Sequence, residues 1–310
     1  MTWQGPPGRF APKPGATELG IKAQEKASLA RAQMSRFVGC GDPERVLVAG
    51  DTHGNTKWAL TLVKLAARHH CAGILQLGDF GYWSHLPEGE RFLGHVDGAL
   101  GHAGLWLLAI PGNHENHSLL RRHRVQEDGF WWLRDHIAMA PFGARWEWQG
   151  VRFGALGGAW SVDKDIRVPM IEWWPGEEPT EADAARLGDE PLDILACHDV
   201  PLGGEPELVD NLRGYAAWRA VATRRLLLEV VQRLRPRLVL HGHWHVRHSR
   251  LLAWADAAAS EAAGEMVWGE AQIEGLASDS AADERSWGVL HLGEGQFVFA
   301  PARRAWGPAT

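Results

Sequence analysis

The sequence has little of several features that point to particular classes of protein. Its 310 residues contain only three cysteines, Cys40, Cys71 and Cys197, an odd and scattered set that does not indicate a disulfide framework and favours a reducing compartment. No apolar run approaches the roughly 18 residues of a membrane span, and the N-terminus lacks the charged-then-apolar pattern of a signal peptide. We therefore expect a cytoplasmic protein without a membrane partner.

An excess of positive charge is also missing. The formal net charge is -6, so no overall basic field attracts nucleic acid, which remains a possible partner but not the favoured one. Hydrophobic residues make up 45% and charged residues 23%, as in an ordinary globular protein with a large core. Only two tyrosines accompany 17 tryptophans, an excess that core filling explains better than ligand stacking.

The composition divides the chain into three parts. Residues 1–44 form an N-terminal extension, in which a Gly- and Pro-rich segment that we expect to be mobile precedes a predicted helix over 17–36. That helix could bind a protein partner or a second copy of the chain. Residues 45–300 are predicted to form one domain, and 301–310 a tail. Within the domain, 254–285 contains eight acidic residues and one basic residue among many alanines, which predicts a surface insertion or loop.

Apolar runs alternate with segments of helical periodicity in the first half of the domain. Predicted strands at 45–50, 73–77 and 105–110 are separated by predicted helices at 57–70 and 88–101. This order indicates an α/β fold with several parallel strands. The second half adds further predicted elements: strands at 151–156 and 192–197, a helix at 215–234 and a closing hairpin at 286–300. The segment 238–245 is predicted to be a short strand that runs out into a turn carrying three histidines, where Gly242 lets the chain turn tightly.

Polar side chains that can bind metals directly follow five of these strands. They are Asp51, His53, Asp79, Asn113, His198, His243 and His245. In open α/β sheets, bound molecules lie beyond the carboxyl ends of the strands. The fold could therefore bring these residues together at one site. Carboxylate, imidazole and amide ligands suit Mn, Fe, Zn or Ni, and seven ligands suit two ions that share a carboxylate. Taken singly, the two aspartates and the asparagine could instead be helix caps or turn residues.

His243 and His245 lie two residues apart in the segment that ends in Gly242-His-Trp-His245. On an extended backbone their rings would point to the same side, where together they could hold one metal ion.

In order and spacing, the blocks Asp51-x-His53, Gly78-Asp79, Gly112-Asn-His-Glu115, His198 and Gly242-His-x-His245 resemble the calcineurin-like metallophosphoesterase superfamily. The resemblance implies a four-layer α/β/β/α sandwich. It also implies that Asp51, His53 and His245 hold one divalent ion, that Asn113, His198 and His243 hold the other, and that Asp79 bridges both. Manganese is the favoured metal.

The same resemblance implies a hydrolase of phosphate esters in which a metal-bridging hydroxide attacks phosphorus. His114 would face the substrate phosphate and, if protonated, offset charge or protonate the leaving oxygen. The sequence after Gly78-Asp79 reads Phe80-Gly-Tyr-Trp83. It lacks the arginine that binds phosphate in the protein Ser/Thr phosphatases of the superfamily, which argues against a phosphoprotein substrate.

Three functional hypotheses follow. The first is hydrolysis of a small phosphodiester or phosphomonoester such as a nucleotide. The second is a nuclease, which clustered basic residues beside the cleft would favour. The third is a non-catalytic metal-binding scaffold for protein partners, which retention of all the candidate ligands and of His114 makes less favourable.

Overall fold

A computed structural model describes residues 42–161, 163–207 and 214–302 of the chain. The N-terminal segment with its predicted helix, and nearly all of the C-terminal tail, lie outside the described residues. The strands are β1 Arg45–Ala49, β2 Gly73–Gln76, β3 Trp106–Ala109, β4 Trp131–Trp132, β5 Ile137–Met139, β6 Ala144–Trp148, β7 Val151–Leu156, β8 Ile194–Cys197, β9 Leu238–His241, β10 His248–Ala255, β11 Trp268–Gly275, β12 Trp287–Gly293 and β13 Gln296–Pro301. The α-helices are α1 Thr56–Arg68, α2 Pro87–Ala103, α3 His117–Leu120, α4 Glu181–Ala185, α5 Gly214–Leu234 and α6 Ala257–Ala263.

These strands form two sheets. The first has the order β13-β12-β1-β2-β3-β5-β4, and β1, β2, β3 and β5 run parallel. The second has the order β10-β11-β9-β8-β7-β6, and β11, β9, β8 and β7 run parallel. Antiparallel strands lie at the edges of both sheets, and the predicted closing hairpin is the antiparallel β12–β13 pair. The prediction of an α/β fold with several parallel strands is therefore confirmed.

The sheets pack face to face with helices on their outer surfaces. In β1, Val46 and Val48 belong to an apolar cluster that also contains Phe153 of the second sheet. Leu47, between them, lies in the cluster that contains the buried side chains of α1 and α2, because successive residues of a strand point to opposite faces. On the other sheet, Val239 shares that cluster with residues of α5. The four layers are helix, sheet, sheet and helix, as expected.

Local sequence signals determine where the first two helices begin and end. The side chain of Asn55 accepts a hydrogen bond from Trp58 N at 3.1 Å and caps the N-terminus of α1. Pro87 begins α2, and Gly104 ends it in the left-handed conformation with φ 66°. The loops that carry Asp51 and Asp79 lie directly before these two helices. The caps therefore also fix where those loops end.

The interpretation of 254–285 as a surface insertion or loop was wrong. The segment contains α6 and β11, and β11 pairs with the central strand β9 through Gln272–Leu238 and Gly275–His241. The acidic side chains indicated a segment exposed to water. In the structure, however, Glu274 forms an ion pair with Arg247 instead of facing water. Strands β4, β5, β6 and β10 were also not predicted. None of the described helices is long and apolar enough to cross a membrane.

Candidate metal centre and active site

The seven candidate ligands lie in loops at the carboxyl ends of five parallel strands, β1, β2, β3, β8 and β9. Four of them have a left-handed backbone: φ is 45° at His53, 51° at Asp79, 64° at His243 and 56° at His245. A non-glycine residue rarely adopts this conformation, which costs about 1–3 kcal/mol. Such strain concentrated on four candidate ligands indicates that the loops are built to direct these side chains.

One cluster of donor atoms brings together the ends of β1, β2 and β9. His245 Nε2 lies 3.1 Å from Asp51 Oδ2, and His53 Nε2 lies 3.5 Å from Asp79 Oδ2. One donor atom from each of these four residues lies within 4.8 Å of the other three.

A second cluster joins the ends of β2, β3, β8 and β9. His198 Nε2 lies 3.4 Å from Asp79 Oδ2 and 3.0 Å from Asn113 Oδ1. Donor atoms of Asp79, His198 and His243 lie within 4.8 Å of one another. Asp79 thus belongs to both clusters, which places two potential metal sites side by side.

The donor atoms fit divalent ions in spacing and in orientation. Two ligands that each lie about 2.1 Å from one ion are about 3.0 to 4.2 Å from each other. The individual separations of 3.0, 3.1, 3.4 and 3.5 Å fall in this range. His198 Nδ1 lies 2.8 Å from Leu77 O, and His53 Nδ1 lies 2.8 Å from Asp279 Oδ1. Because both partners only accept hydrogen bonds, the proton is on Nδ1 in each ring, and Nε2 of the neutral ring is available to a metal.

The expectation that His243 and His245 lie on the same side of an extended backbone was wrong. Both residues have positive φ, so the chain turns at each of them, and His245 joins the first cluster while His243 joins the second. The backbone N–H of His243 donates to the Asp51 carboxylate, at 3.0 Å to Oδ1. A Cβ on Gly242 would lie 2.1 Å from that oxygen, so only glycine allows this approach.

The family model for calcineurin-like phosphoesterases matches residues 44–247, well over half of the chain. The chain belongs to this family. The match and the Asp/His clusters together make it a metal-dependent phosphoesterase.

Comparisons with solved structures give more distant similarities. A Thermus thermophilus protein is 15% identical with a TM-score of 0.45, covering 84% of this chain and 100% of that chain. A dimetal phosphatase from Danio rerio is 13% identical with a TM-score of 0.47, over 84% and 100% of the two chains. A predicted phosphoesterase from Streptococcus pneumoniae is 10% identical with a TM-score of 0.32, over 85% and 94%. No curated protein matches the chain.

The site of this phosphoesterase concentrates negative charge on buried carboxylates. Burial opposes protonation of His53, but Asp79, Asp51 and Asp279 raise its pKa to about 9. Burial acts in the same direction on His198, and Asp79, Asp51 and the Leu77 carbonyl raise its pKa to about 10. In the absence of metal, the carboxylates therefore hold protons on these imidazoles, which shows how strongly the site favours cations.

His114 lies beside the carboxylate that the two clusters share, with Nε2 3.7 Å from Asp79 Oδ2, and its backbone N–H donates to Asp79 Oδ1 at 2.8 Å. Burial lowers the pKa of His114, and the positive charge of Arg167 adds to this effect against the charge of Asp79. The neutral imidazole is thus favoured. Arg167 was not identified from the sequence, where nothing separates it from other arginines.

Ser161 and Glu177, which the sequence did not connect with the candidate ligands, orient Asn113 from behind. Asn113 Nδ2 donates to Ser161 Oγ at 2.9 Å, and Ser161 Oγ donates to Glu177 Oε2 at 3.0 Å. This fixes the Asn113 amide with its oxygen directed to His198. Ser161 is the last residue of the Gly157-Gly-Ala-Trp-Ser161 segment, but nothing in the sequence showed that its side chain reaches Asn113.

Glu115 connects two of the site loops. Its buried carboxylate accepts hydrogen bonds from the backbone N–H groups of Gly81, at 3.1 Å, and Gly112. Burial, together with the charge of Asp79, raises the pKa of Glu115 to about 7. The glutamate of the Gly112-Asn-His-Glu115 block is thus a structural link between the turns that present Asp79 and Asn113.

Proposed function

We propose that the chain hydrolyses a small phosphodiester or phosphomonoester at a centre for two divalent metal ions, with manganese the favoured metal. The observation that carries the proposal is the position of Asp79 Oδ2, 3.5 Å from His53 Nε2 and 3.4 Å from His198 Nε2. A carboxylate between two histidines from different sheets is the arrangement that a pair of ions sharing a ligand requires.

The two groups of ligands come from the two clusters. Asp51, His53 and His245 would hold one ion, Asn113, His198 and His243 the other, and Asp79 both. When bound, the ions would supply a water molecule of lowered pKa and positive charge for the phosphate oxygens.

The chain itself would position the ligands and the substrate. The His243 N–H and the Asp279 carboxylate hold Asp51 and His53 in place, and the Ser161 hydroxyl holds the amide of Asn113. His114, half-buried and beside Asp79, would present an N–H to an oxygen of the substrate phosphate or of the leaving group. General acid–base contributions of this kind are worth about 10²–10⁴-fold in rate.

We infer that the enzyme acts on a small substrate and resides in a reducing compartment. The chain carries a formal net charge of -6. Cys71 and Cys197 are buried and free. Both features support a cytoplasmic enzyme that acts on a small phosphate ester, the context expected from the sequence.

Turnover of bis-p-nitrophenyl phosphate and p-nitrophenyl phosphate by chelated enzyme, with Mn, Ni, Zn or Mg added back, tests the proposal. We expect metal-dependent turnover that is highest with Mn, and the ratio of the two rates separates diester from monoester preference. Absence of turnover of both substrates with every metal would contradict the proposal and favour a binding protein.

A further inference from the structure

A cavity of about 370 Å³ opens directly beside His114. His114 and Arg167 form its polar end, and apolar side chains form most of its wall. These apolar residues are Trp83, Leu86, Ile171 and Trp174, and Glu172 completes the lining. The volume is in the range of small-molecule sites, which are commonly apolar clefts with a few directed polar groups.

Arg167 is placed at the polar end by contacts on two sides. Its Nε donates to Asp163 Oδ2 at 2.8 Å, while its two terminal nitrogens lie 2.8 and 3.0 Å from the two ring nitrogens of His114. A neutral imidazole has one acceptor nitrogen, so at most one of these short contacts is a hydrogen bond. Nε and Nη2 of Arg167 also contact Asp163 Oδ2, at 2.8 and 2.6 Å. A guanidinium has five N–H donors, so Nη1 retains a donor for an anion that enters the cavity beside Arg167 and His114.

The loop that carries Arg167 is fixed to the body of the protein. Lys164 Nζ lies 2.9 Å from Glu177 Oε1, and 4.3 and 4.1 Å from the ring centres of Trp160 and Trp173. Further along, the Val168 N–H donates to the Glu172 carboxylate at 2.7 Å. Glu172 is thereby bonded within the loop, while Arg167 contacts His114 directly.

The apolar wall is rigid on one side and exposed on the other. The indole N–H of Trp83 donates to His114 O at 2.7 Å, so its ring is held against the site. Trp174 is buried, whereas Ile171 is 59% and Leu86 39% exposed. A flat apolar group that entered from solvent would cover these two side chains while its attached phosphate reached Arg167 and His114.

We propose that this cavity is a substrate subsite. Arg167 binds the phosphate, and the apolar wall binds an aromatic group on the ester. The inference rests on the proposed phosphoesterase function and adds the substrate class, phosphate esters that carry an aromatic group. Arg167 is then a substrate-binding residue, supplied by the 163–173 loop.

Phenylphosphonate and methylphosphonate test the subsite because they differ only in the group next to phosphorus. Their inhibition constants against bis-p-nitrophenyl phosphate are measured on metal-loaded enzyme at a pH where both are dianions. We expect phenylphosphonate to bind about tenfold more tightly, the effect of burying part of one aromatic ring. Equal constants for the two phosphonates would overturn the proposed aromatic wall.

Single substitutions separate the two halves of the subsite. Ile171→Asn should bring the ratio of the two constants close to one, whereas Ile166→Asn, on the same loop and 85% exposed, should preserve it. Arg167→Gln should weaken both phosphonates about tenfold or more and leave their ratio unchanged, with Arg124→Gln as its matched control. Unchanged binding of both phosphonates to Arg167→Gln would exclude Arg167 as the phosphate contact.

Titration calorimetry of the metal-loaded protein with the two phosphonates measures the same ratio without turnover. If no substrate were hydrolysed with any metal, the proposed function would fail, and the calorimetric ratio would still decide for or against the subsite.

Discussion

Asp279 Oδ1 lies 2.8 Å from His53 Nδ1 and so orients the imidazole whose other nitrogen faces Asp79 and Asp51. The second oxygen of the same carboxylate accepts from Asn55 Nδ2 at 3.0 Å, and the Asp279 backbone N–H donates to Asp51 O at 2.8 Å. The acidic segment that the sequence indicated to be a surface loop therefore reaches directly behind the first cluster.

Asp279→Ala is expected to weaken metal binding while leaving the fold intact. The backbone bond from residue 279 to Asp51 remains, but His53 loses the carboxylate that fixes its tautomer, a change that typically costs 10–100-fold in metal affinity. Competition with a chelator measures the affinity. Glu265→Gln, an exposed residue of the same acidic segment, is the control, and an affinity equal to that of the unmodified protein in Asp279→Ala would contradict the orienting contact.

Asp79→Asn and His245→Ala are expected to differ in how much metal they lose. Asp79 belongs to both clusters, so its amide variant should retain little of the metal, about two equivalents, that a binuclear centre holds. His245 belongs to one cluster and is partly exposed, so its loss should leave about one equivalent. Elemental analysis after gel filtration gives the numbers; equal losses in the two variants would be inconsistent with a shared ligand.

The sequence predicted most of the site because the ligands follow strands that are easy to recognise. Each short apolar run ends in a block such as Gly78-Asp79 or Gly112-Asn-His-Glu115, and parallel strands bring such blocks to one rim. The order of the blocks along the chain carried the resemblance to the calcineurin-like family, and that resemblance implied that Asp79 would lie near both His53 and His198.

The residues that the sequence did not identify act through contacts across long separations, for which no local pattern exists. Ser161 contacts Asn113 across 48 positions, and Asp279 contacts His53 across 226. In β11, Glu270, Gln272 and Glu274 alternate with the buried Ala271 and Ile273, but the acidic, alanine-rich composition of 254–285 outweighed this short period-two pattern. Gly242 indicated a tight turn in this segment, but the positive φ of His243 and His245 and their contacts with Asp51 had no local signal.

His114→Ala is expected to lower kcat about 10²–10³-fold and to leave the metal content nearly full. The imidazole lies 3.7 Å from Asp79 Oδ2 but belongs to neither cluster of donor atoms. Steady-state kinetics and elemental analysis on the same sample separate the two effects. His102→Ala, at an exposed position near the end of α2, is the control, and a parallel loss of metal in His114→Ala would make His114 a structural residue of the centre.

Ser161→Ala is expected to destabilise the protein by about 1–3 kcal/mol and to weaken the second ion selectively. The substitution leaves Asn113 Nδ2 and a Glu177 oxygen without their hydroxyl partner in a buried place, and the amide of Asn113 can then rotate. Urea unfolding gives the stability, and metal titration gives the affinity of each ion. Ser249→Ala removes a hydroxyl that donates to Glu274 Oε1 at 2.8 Å on β10, and it should leave the affinity of both ions unchanged. An unaffected second ion in Ser161→Ala would contradict the role of the hydroxyl.

Removal of metal is expected to change the direction in which stability varies with pH above neutrality. In the metal-free protein the pKa values of His53 and His198 are about 9 and about 10, above the 6.5 of an ordinary histidine. A group whose pKa is raised by folding stabilises the folded state fully below its unfolded pKa, and this stabilisation is lost as pH rises through the folded pKa. The Tm of chelated protein should therefore fall between about pH 7 and pH 10.

Metal-loaded protein should behave in the opposite way over the same range. Metals bind neutral imidazole, so fewer protons must be displaced as pH rises and the ions stabilise the fold more strongly. Calorimetric scans with and without chelator measure both profiles, and His53→Asn should flatten part of the decline in the chelated protein. A Tm of the chelated protein that rose with pH, in parallel with the loaded form, would show that these imidazoles do not hold protons in the empty site.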